Sequence, residues 1–268
     1  MPEINHDDLN KLMEKLHLER GTDFRGYKPT SLARRVQRRL GALKCSDINT
    51  YMEYLDQQPD EYTKLIDSIL INVTQFFRDQ EAWQIIEDEV IPRIVPEKRP
   101  GDQIRMWSAG CATGEEAYSL AIILSEALGP SLEDYGVRIY ATNIDEGALA
   151  IARLGDYSDD SAKSVPPELL QKYFTKNCRW SLNRDIKKMV IFGQHNLVMD
   201  APISHLDLIV CRNVLIYMSV DLQNLVLSKL HYGLNPRGFL FLGKAESILT
   251  ASRIISPFND RWRIFRKE

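Results

Sequence analysis

From Gln103 onward, the sequence alternates between strand patterns and helix patterns. Apolar runs typical of buried strands occur at QIRMWSA, VRIYATN and LDLIVCR, and segments with apolar residues three and four positions apart follow them. Two late runs, NPRGFLFLG and RWRIF, predict two more strands separated by a Pro-Gly turn. Because parallel strands are usually joined by crossover helices, the alternation predicts an α/β domain with a doubly wound parallel sheet.

The chain up to about Asn72 carries helical patterns alone, at DDLNKLMEKLHL, PTSLARRVQRRLGAL, DINTYMEYLDQQ and DEYTKLIDSILI. We therefore predict a small all-helical domain at residues 1–75 and an α/β domain at residues 76–268. Between about residues 155 and 195 the alternation is interrupted by SVPPELLQKYF, a short helix. CRWSL and KKMVIF follow it and predict a small antiparallel β insertion.

The composition is that of an ordinary globular protein, with 44% hydrophobic and 26% charged residues. The net charge of −3 gives no overall attraction to nucleic acid or acidic lipid. No apolar run is long enough to cross a bilayer, so we expect no membrane insertion. The cysteines are far apart and form no C-x-x-C pair, so we expect reduced thiols in a cytoplasmic protein. The histidines are scattered, so we expect no metal site.

The loop after the first strand reads S-A-G-C-A-T-G-E-E. It matches neither G-x-G-x-x-G nor a phosphate loop, and it places Glu115 and Glu116 where a helix would otherwise attract a phosphate. Carboxylates there suit a cationic ligand, and S-adenosylmethionine fits because it carries an ammonium and a sulfonium but no phosphate. Alternatively, the two glutamates do no more than stabilise the helix dipole.

Two further strand ends carry polar side chains. ATNID supplies Asn143 and Asp145, at the point where such folds contact ribose hydroxyls, although Asp145 could instead cap the next helix. LDLIVCRNVLIYM places Arg212 and Tyr217 at the same crevice and lacks the platform with which DNA amine methyltransferases hold a flipped base. Both side chains could also form ordinary surface pairs.

One arginine lies outside the alternating pattern, in NVTQFFRD. Phe76 and Phe77 are expected in the core, which would hold the Arg78 guanidinium in a half-buried position. Arg78 could bridge two domains, but a guanidinium is also the natural fork for a carboxylate.

Together, INVTQFFRD, WSAGCATGEEAYSLA, ATNID and CRNVLIY resemble, in order and spacing, the chemotaxis-receptor glutamate methyltransferases of the CheR family. The likeness extends from the first helices almost to the end of the chain. It implies S-adenosylmethionine as cofactor, S-adenosylhomocysteine as product, and methyl transfer to glutamate γ-carboxylates. The resemblance places these residues around the cofactor: Asn72, Thr74, Arg78, Glu116, Asn196, Leu197, Arg212 and Asn213. We expect Asn143 there too, although the enteric members have an aspartate at that position.

The resemblance also assigns the catalytic residues. Arg78 and Tyr217 match the residues that the family places beside the methyl group. We expect Arg78 to steer the acceptor carboxylate and Tyr217 to orient it by a hydrogen bond. No general base is required, because a glutamate is already ionised at neutral pH.

The helix LARRVQRRL has an apolar stripe on one side and arginines on the other, at Arg34, Arg35, Arg38 and Arg39. Alone, this pattern indicates a solvated face, but the glutamate-rich coiled coil of a chemoreceptor cytoplasmic domain would favour docking. Nucleic acid is not expected as a partner, because stacking aromatic residues are not interleaved with the charges. We expect the protein to act as a monomer.

The predicted β insertion bears on how the substrate is recruited. In the enteric enzymes this subdomain captures a pentapeptide tether at the receptor's C-terminus. Here the segment from Phe174 to Phe192 is several residues shorter than in those enzymes. This predicts a tether-independent enzyme.

Two other functions are compatible with parts of the pattern. A nicotinamide-dependent dehydrogenase is the ordinary alternative for such a sheet, and the missing G-x-G-x-x-G counts against it. A non-catalytic docking module with a cofactor-like pocket is the second, and the presence of both Arg78 and Tyr217 counts against that.

Overall fold

The computed structural model describes residues 4–70, 72–246 and 255–268. They form two compact units. One contains the described residues up to Leu70 together with Tyr217–Gln223, and the other contains the rest. The parts of the two predicted domains at residues 1–3, 71 and 247–254 lie outside the described residues.

The first unit is helical, as the sequence predicts. Its helices are α1 (His6–Arg20), α2 (Pro29–Leu43), α3 (Ile48–Gln57) and α4 (Asp60–Ile69). Side-chain caps begin two of them, because Asn5 accepts a hydrogen bond from the Asp8 amide and Asp47 accepts one from the Thr50 amide. The apolar faces meet in one core that includes Leu12, Leu16, Val36, Leu40, Tyr51, Leu55 and Leu65.

Tyr217–Gln223 join this unit, although the sequence places them in the second predicted domain. The Lys28 amide donates to the Tyr217 carbonyl at 2.9 Å, and the Ser219 amide donates to the Gly26 carbonyl at 2.8 Å. These backbone bonds attach the segment to the connection between α1 and α2.

The second unit is built on a seven-stranded sheet in the order β6-β2-β1-β7-β8-β10-β9. The first five strands of that order pair in parallel, which confirms the predicted α/β class. β10 then pairs antiparallel with β8, and β9 pairs antiparallel with β10. The main-sheet strands are β1 (Gln103–Ala109), β2 (Gly136–Asn143), β6 (Val190–Gln194), β7 (Leu206–Cys211), β8 (Leu234–Leu242), β9 (Ile255–Asn259) and β10 (Ile264–Lys267). A second sheet, in the order β3-β5-β4, contains β3 (Asp156–Tyr157), β4 (Phe174–Lys176) and β5 (Trp180–Leu182).

Helices precede β1 and connect the later strands. They are α5 (Gln80–Ile85), α6 (Ile91–Ile94), α7 (Glu115–Leu128), α8 (Glu146–Leu154), α9 (Asp159–Ala162), α10 (Pro167–Tyr173), α11 (Arg184–Met189) and α12 (Val220–Gly233). A π-helical turn at Ile86–Val90 joins α5 to α6. The segment from Gln80 to Ile94 was not predicted.

The strand order reverses at β1. The chain leaves β1 through α7 to reach β2 on one side, whereas β7 pairs with β1 on the other. Every residue of β7 is buried, so the sheet is covered on both faces there. In such sheets a crevice opens beyond the carboxyl ends of the two strands at the reversal, here β1 and β7.

Two sequence interpretations were wrong in detail. KKMVIF is not a strand of the insertion, because its first residues end α11 and the rest form β6 at the edge of the main sheet. The Asn183 side chain caps α11 by accepting from the Ile186 amide at 3.0 Å, which favours the helix. The Pro-Gly pair does not separate the late strands, because Pro236 and Gly238 both lie within β8.

Candidate active site

Two glycines allow the loop after β1 to pack closely. Gly110 has φ 82°, and a Cβ atom there would lie 2.5 Å from Cγ2 of Val214. Gly114 has φ 95°, and a Cβ atom there would lie 2.8 Å from the Ala152 Cβ. Both the left-handed backbone and the close approach therefore require glycine.

The two glutamates at the start of α7 differ in their surroundings. Glu115 is 5% exposed and accepts a hydrogen bond from the Thr113 hydroxyl at 2.6 Å. Glu116 accepts from the Ser108 hydroxyl at 2.9 Å. Burial raises the pKa of Glu116 to about 7, although the positive charge of Arg212 opposes the shift. Glu116 is thus a carboxylate whose negative charge the protein compensates incompletely, which fits a cationic ligand better than a phosphate.

Arg78 lies in a constrained segment. Its neighbours Phe77 and Asp79 have φ values of 50° and 62°, in the left-handed region that costs a non-glycine residue on the order of 1–3 kcal/mol. The Phe77 amide donates to the Ser119 hydroxyl oxygen at 3.0 Å, and this bond fixes the segment against α7. Such a backbone persists only where surrounding contacts hold it.

Arg212 supplies the other contacts to this segment. Its Nη1 donates to the Arg78 carbonyl at 2.9 Å, and its Nη2 forms an ion pair with the Asp79 carboxylate. The guanidinium carbon lies 4.5 Å from the centre of the Phe241 ring, and the side chain is only 2% exposed. Arg212 therefore fixes the backbone that carries Arg78, and its predicted direct contact with the cofactor stays a prediction.

Three polar side chains meet at the end of β2. Asn143, which is 9% exposed, donates through Nδ2 to Oδ1 of Asn72 at 3.4 Å and accepts from the Asp145 amide at 3.1 Å. Asn72 also donates to the Asp145 carboxylate. Asp145 in turn caps α8 by accepting from the Ala148 amide at 3.0 Å. The structure thus brings Asn72 and Asn143 together and gives Asp145 the capping role.

The end of β6 lies beside this cluster. The His195 amide donates to the Asn143 carbonyl at 3.0 Å, so Asn196 and Leu197 follow directly after a contact with β2. The Asn196 side-chain oxygen accepts from the Val198 amide at 2.9 Å, which forms a tight turn. Leu197 is 9% exposed. Thr74, nearer the start of the unit, is half-buried.

The loop after β7 begins with Arg212 and continues with Asn213, whose φ is 60°. The Asn213 amide donates to Oε2 of Glu246 at 3.1 Å. Sequence reasoning missed Glu246, Asp79 and Ser119, because no local pattern indicates which distant backbone groups they contact.

The remaining predicted residues lie in the helical unit. Tyr217 is half-buried there. On α2, Arg34 and Arg38 are exposed, whereas Arg35 is half-buried. The pKa of Arg35 is lowered, mainly by partial burial and to a smaller extent by repulsion from Arg38 and Arg34.

Arg39 differs from the other three arginines. It forms an ion pair with Glu61, whose side chain is 3% exposed and which also accepts from the Tyr51 hydroxyl at 2.9 Å. Arg39 therefore balances a buried charge of α4, and its predicted contact with a partner stays a prediction.

No described helix is both long and apolar enough to span a membrane. Within residues 4–70, 72–246 and 255–268, no group of three or more histidine, cysteine, aspartate or glutamate side chains is arranged to hold a metal ion.

Comparison with known proteins identifies the family. The family described as CheR methyltransferase, SAM binding domain, matches residues 72–264, and that described as CheR methyltransferase, all-alpha domain, matches residues 7–70. The chain is 34% identical to chemotaxis protein methyltransferase 2 of Vibrio cholerae, over 96% of this chain and 90% of that protein. It is 32% identical to chemotaxis protein methyltransferase 2 of Pseudomonas aeruginosa, over 93% of this chain and 89% of that protein.

One relative is much longer. An uncharacterized 104.1 kDa protein of Rhodobacter capsulatus is 33% identical over 96% of this chain, which spans only 27% of that protein. The all-alpha match covers most of the helical unit, and the SAM-binding match begins where the second unit begins, at Asn72. The chain therefore belongs to the CheR methyltransferase family, and its cofactor is S-adenosylmethionine.

Proposed function

We propose that this protein transfers the methyl group of S-adenosylmethionine to glutamate γ-carboxylates of chemoreceptor cytoplasmic domains, in adaptation of a chemotaxis-type pathway. The observation that carries the proposal is the constrained Arg78 segment. Arg212 and Ser119 hold the backbone on either side of Arg78, and the charge of Arg78 acts on Glu116. A guanidinium carried on a fixed backbone near Glu116 is suited to an anionic acceptor.

The residues around the crevice fit the cofactor. Glu116 supplies the negative charge that a cationic ligand requires, and Asn72 and Asn143 present amides at the strand end where ribose is usually bound. The neighbouring turn adds Asn196 and Leu197. When bound, S-adenosylmethionine supplies a methyl group on a sulfonium, which a nucleophile attacks in line.

The acceptor needs positioning rather than activation. A glutamate has an ordinary pKa of ~4.3, so its carboxylate is already a nucleophile at neutral pH. Charge is neutralised as an anion attacks a cation, so exclusion of water and alignment of the reactants favour the transfer. Arg78 would steer the carboxylate. From the family resemblance we propose that Tyr217 donates a hydrogen bond that orients it.

The helical unit would dock the receptor. The apolar stripe of α2 is buried, which leaves Arg34 and Arg38 exposed and Arg35 partly so. Three neighbouring cations on one helix suit a glutamate-rich coiled coil by charge complementarity. Because Arg39 forms an ion pair with Glu61, we propose that the docking surface consists of Arg34, Arg35 and Arg38.

We also propose that the enzyme acts without a receptor tether. Capture of an extended peptide by strand addition needs an edge strand with several free backbone groups. The edge strands of the small sheet are short, with β3 containing two residues and β4 three. Receptor fragments with and without a C-terminal pentapeptide should be methylated at the same rate, and faster methylation of the longer fragment would contradict tether independence.

The function is tested by incubating the protein with methyl-labelled S-adenosylmethionine and chemoreceptor cytoplasmic fragments. Carboxyl methyl esters release methanol in alkali, so alkali-labile label on the receptor is expected. Arg78→Ala should lower kcat, whereas Arg99→Ala, at an exposed position ahead of β1, should not. Cofactor binding without any alkali-labile label on the receptors would contradict the proposed substrate.

A further inference from the structure

Glu246 is a buried carboxylate with an unusual set of donors. It is 4% exposed, and each carboxylate oxygen accepts two backbone N–H groups. Oε1 accepts from Val214 and Leu215, both at 2.8 Å. Oε2 accepts from Asn213 at 3.1 Å and from Gly243 at 2.6 Å. Hydrogen bonds from neutral donors to an ionised acceptor are stronger than those between neutral groups.

The four donors belong to two different loops. Asn213, Val214 and Leu215 follow β7, whereas Gly243 follows β8, the neighbouring parallel strand. A Cβ atom at Gly243 would lie 2.8 Å from the Asn213 amide nitrogen and 2.8 Å from Glu246 Oε2. The carboxylate therefore closes a junction between the loops that has no room for a side chain at Gly243.

The loop that Glu246 holds contacts two other parts of the site. Val214 packs against Gly110 of the loop after β1 so closely that a Cβ atom there would lie 2.5 Å from it. Arg212, directly before Asn213, binds the carbonyl of Arg78. A shift of this loop would therefore move both the glycine loop and the Arg78 segment.

We propose that Glu246 is a positioning residue for cofactor binding, which holds Asn213, Val214 and Leu215 in the one arrangement that completes the crevice. The proposal rests on the cofactor site described above. Glu246 acts through the loop and not by contact with either reactant.

Asp207 is a matched control for a merely structural role. It lies on β7, at the opposite end of the strand from the loop, and is 6% exposed. Its carboxylate accepts from the Arg105 amide at 3.0 Å and from Asn235 at 2.8 Å, and it pairs with Lys98 at 2.8 Å. Asp207 is thus as buried and as well bonded as Glu246 but is remote from the site.

The experiment compares Glu246→Gln with Asp207→Asn. Glutamine keeps the shape but places an N–H₂ group against two N–H donors, so S-adenosylhomocysteine binding should weaken roughly tenfold or more by calorimetry. The KM for S-adenosylmethionine should rise while the KM for receptor stays within about twofold of the wild-type value. Asp207→Asn should lower the melting temperature and leave cofactor affinity within about twofold.

Gly243→Ala provides an independent test, because it forces the same loops apart without removing a charge. It should also weaken cofactor binding, and it replaces Glu246→Gln if that variant does not fold. The inference would be overturned if the wild-type protein binds cofactor and both variants, Glu246→Gln and Gly243→Ala, bind it with the same affinity. An equal loss of affinity in Asp207→Asn would also overturn it. Failure of the wild-type protein to methylate receptors while it binds cofactor would refute the proposed substrate and leave this inference standing.

Discussion

Replacing Asp79 by asparagine tests whether Arg78 owes its placement to the Arg212 ion pair. Asparagine tolerates the left-handed backbone at this position, where φ is 62°, so the substitution removes charge with little added strain. Arg212 keeps its bond to the Arg78 carbonyl but loses a charged partner while its side chain remains 2% exposed.

The expected loss of stability follows from that geometry. A hydrogen bond to a charged group contributes ~1.5–3 kcal/mol. The Asp79 side chain is 34% exposed, so solvent screening places the expected value near the lower end of that range. Activity should fall as well, because the Phe77 and Asp79 backbone conformations persist only while contacts hold them.

Urea denaturation and steady-state methylation measure the two effects. Glu81→Gln is the matched control, because Glu81 lies two residues further along and pairs with Arg261 at the surface, where the side chains are 67% and 69% exposed. That variant should change neither quantity appreciably. Asp79→Asn should lower the free energy of unfolding and kcat. If it behaves like Glu81→Gln in both assays, the ion pair does not position Arg78.

Three further predictions concern the cofactor and the receptor. Burial raises the pKa of Glu116 to about 7, so this carboxyl is mostly protonated at pH 6. The affinity for S-adenosylhomocysteine, measured by calorimetry, should therefore be higher at pH 8 than at pH 6. In Glu116→Gln this difference should disappear. The double reversal of Arg34 and Arg38 to glutamate should raise the receptor KM and reduce its salt dependence without changing cofactor affinity, and an unchanged KM would mean that α2 is only a solvated face. Asn143→Asp should leave cofactor affinity unchanged or increase it, because a carboxylate accepts hydrogen bonds from ribose hydroxyls. A large loss of affinity would mean that cofactor binding depends on the hydrogen bond from Asn143 to Asn72.

Local sequence patterns predicted the architecture because each depends on neighbouring residues. The alternation from Gln103 predicted the parallel sheet, and the phosphate-free loop singled out Glu116 before its surroundings were known. KKMVIF was misassigned because a short apolar run fits a helix end and a strand equally well. The Asn183 cap favours the helix locally, because its side chain accepts a hydrogen bond from the Ile186 amide. The place of β6 in the main sheet depends on its pairing with β2, which is distant in sequence.

The partners within the site could not be predicted for the same reason. Arg212 and Asp79 are separated by 133 residues, and no periodicity links them. The arginines of α2 look equivalent in sequence, yet Arg39 alone meets the buried Glu61 of α4. Sequence identified the groups that carry charge, and only the folded chain determined which charges are neutralised internally.

Identification of the methylated atom distinguishes glutamate methylation from methylation of any other side chain. Receptor cytoplasmic fragments treated with the enzyme and S-adenosylmethionine would be digested and mapped by tandem mass spectrometry. We expect a methyl group on glutamate side chains, which mild alkali removes and which is greatly reduced with Arg78→Ala. Alkali-stable methylation on lysine or arginine, or glutamate methylation that persists unchanged in Arg78→Ala, would contradict the proposed function.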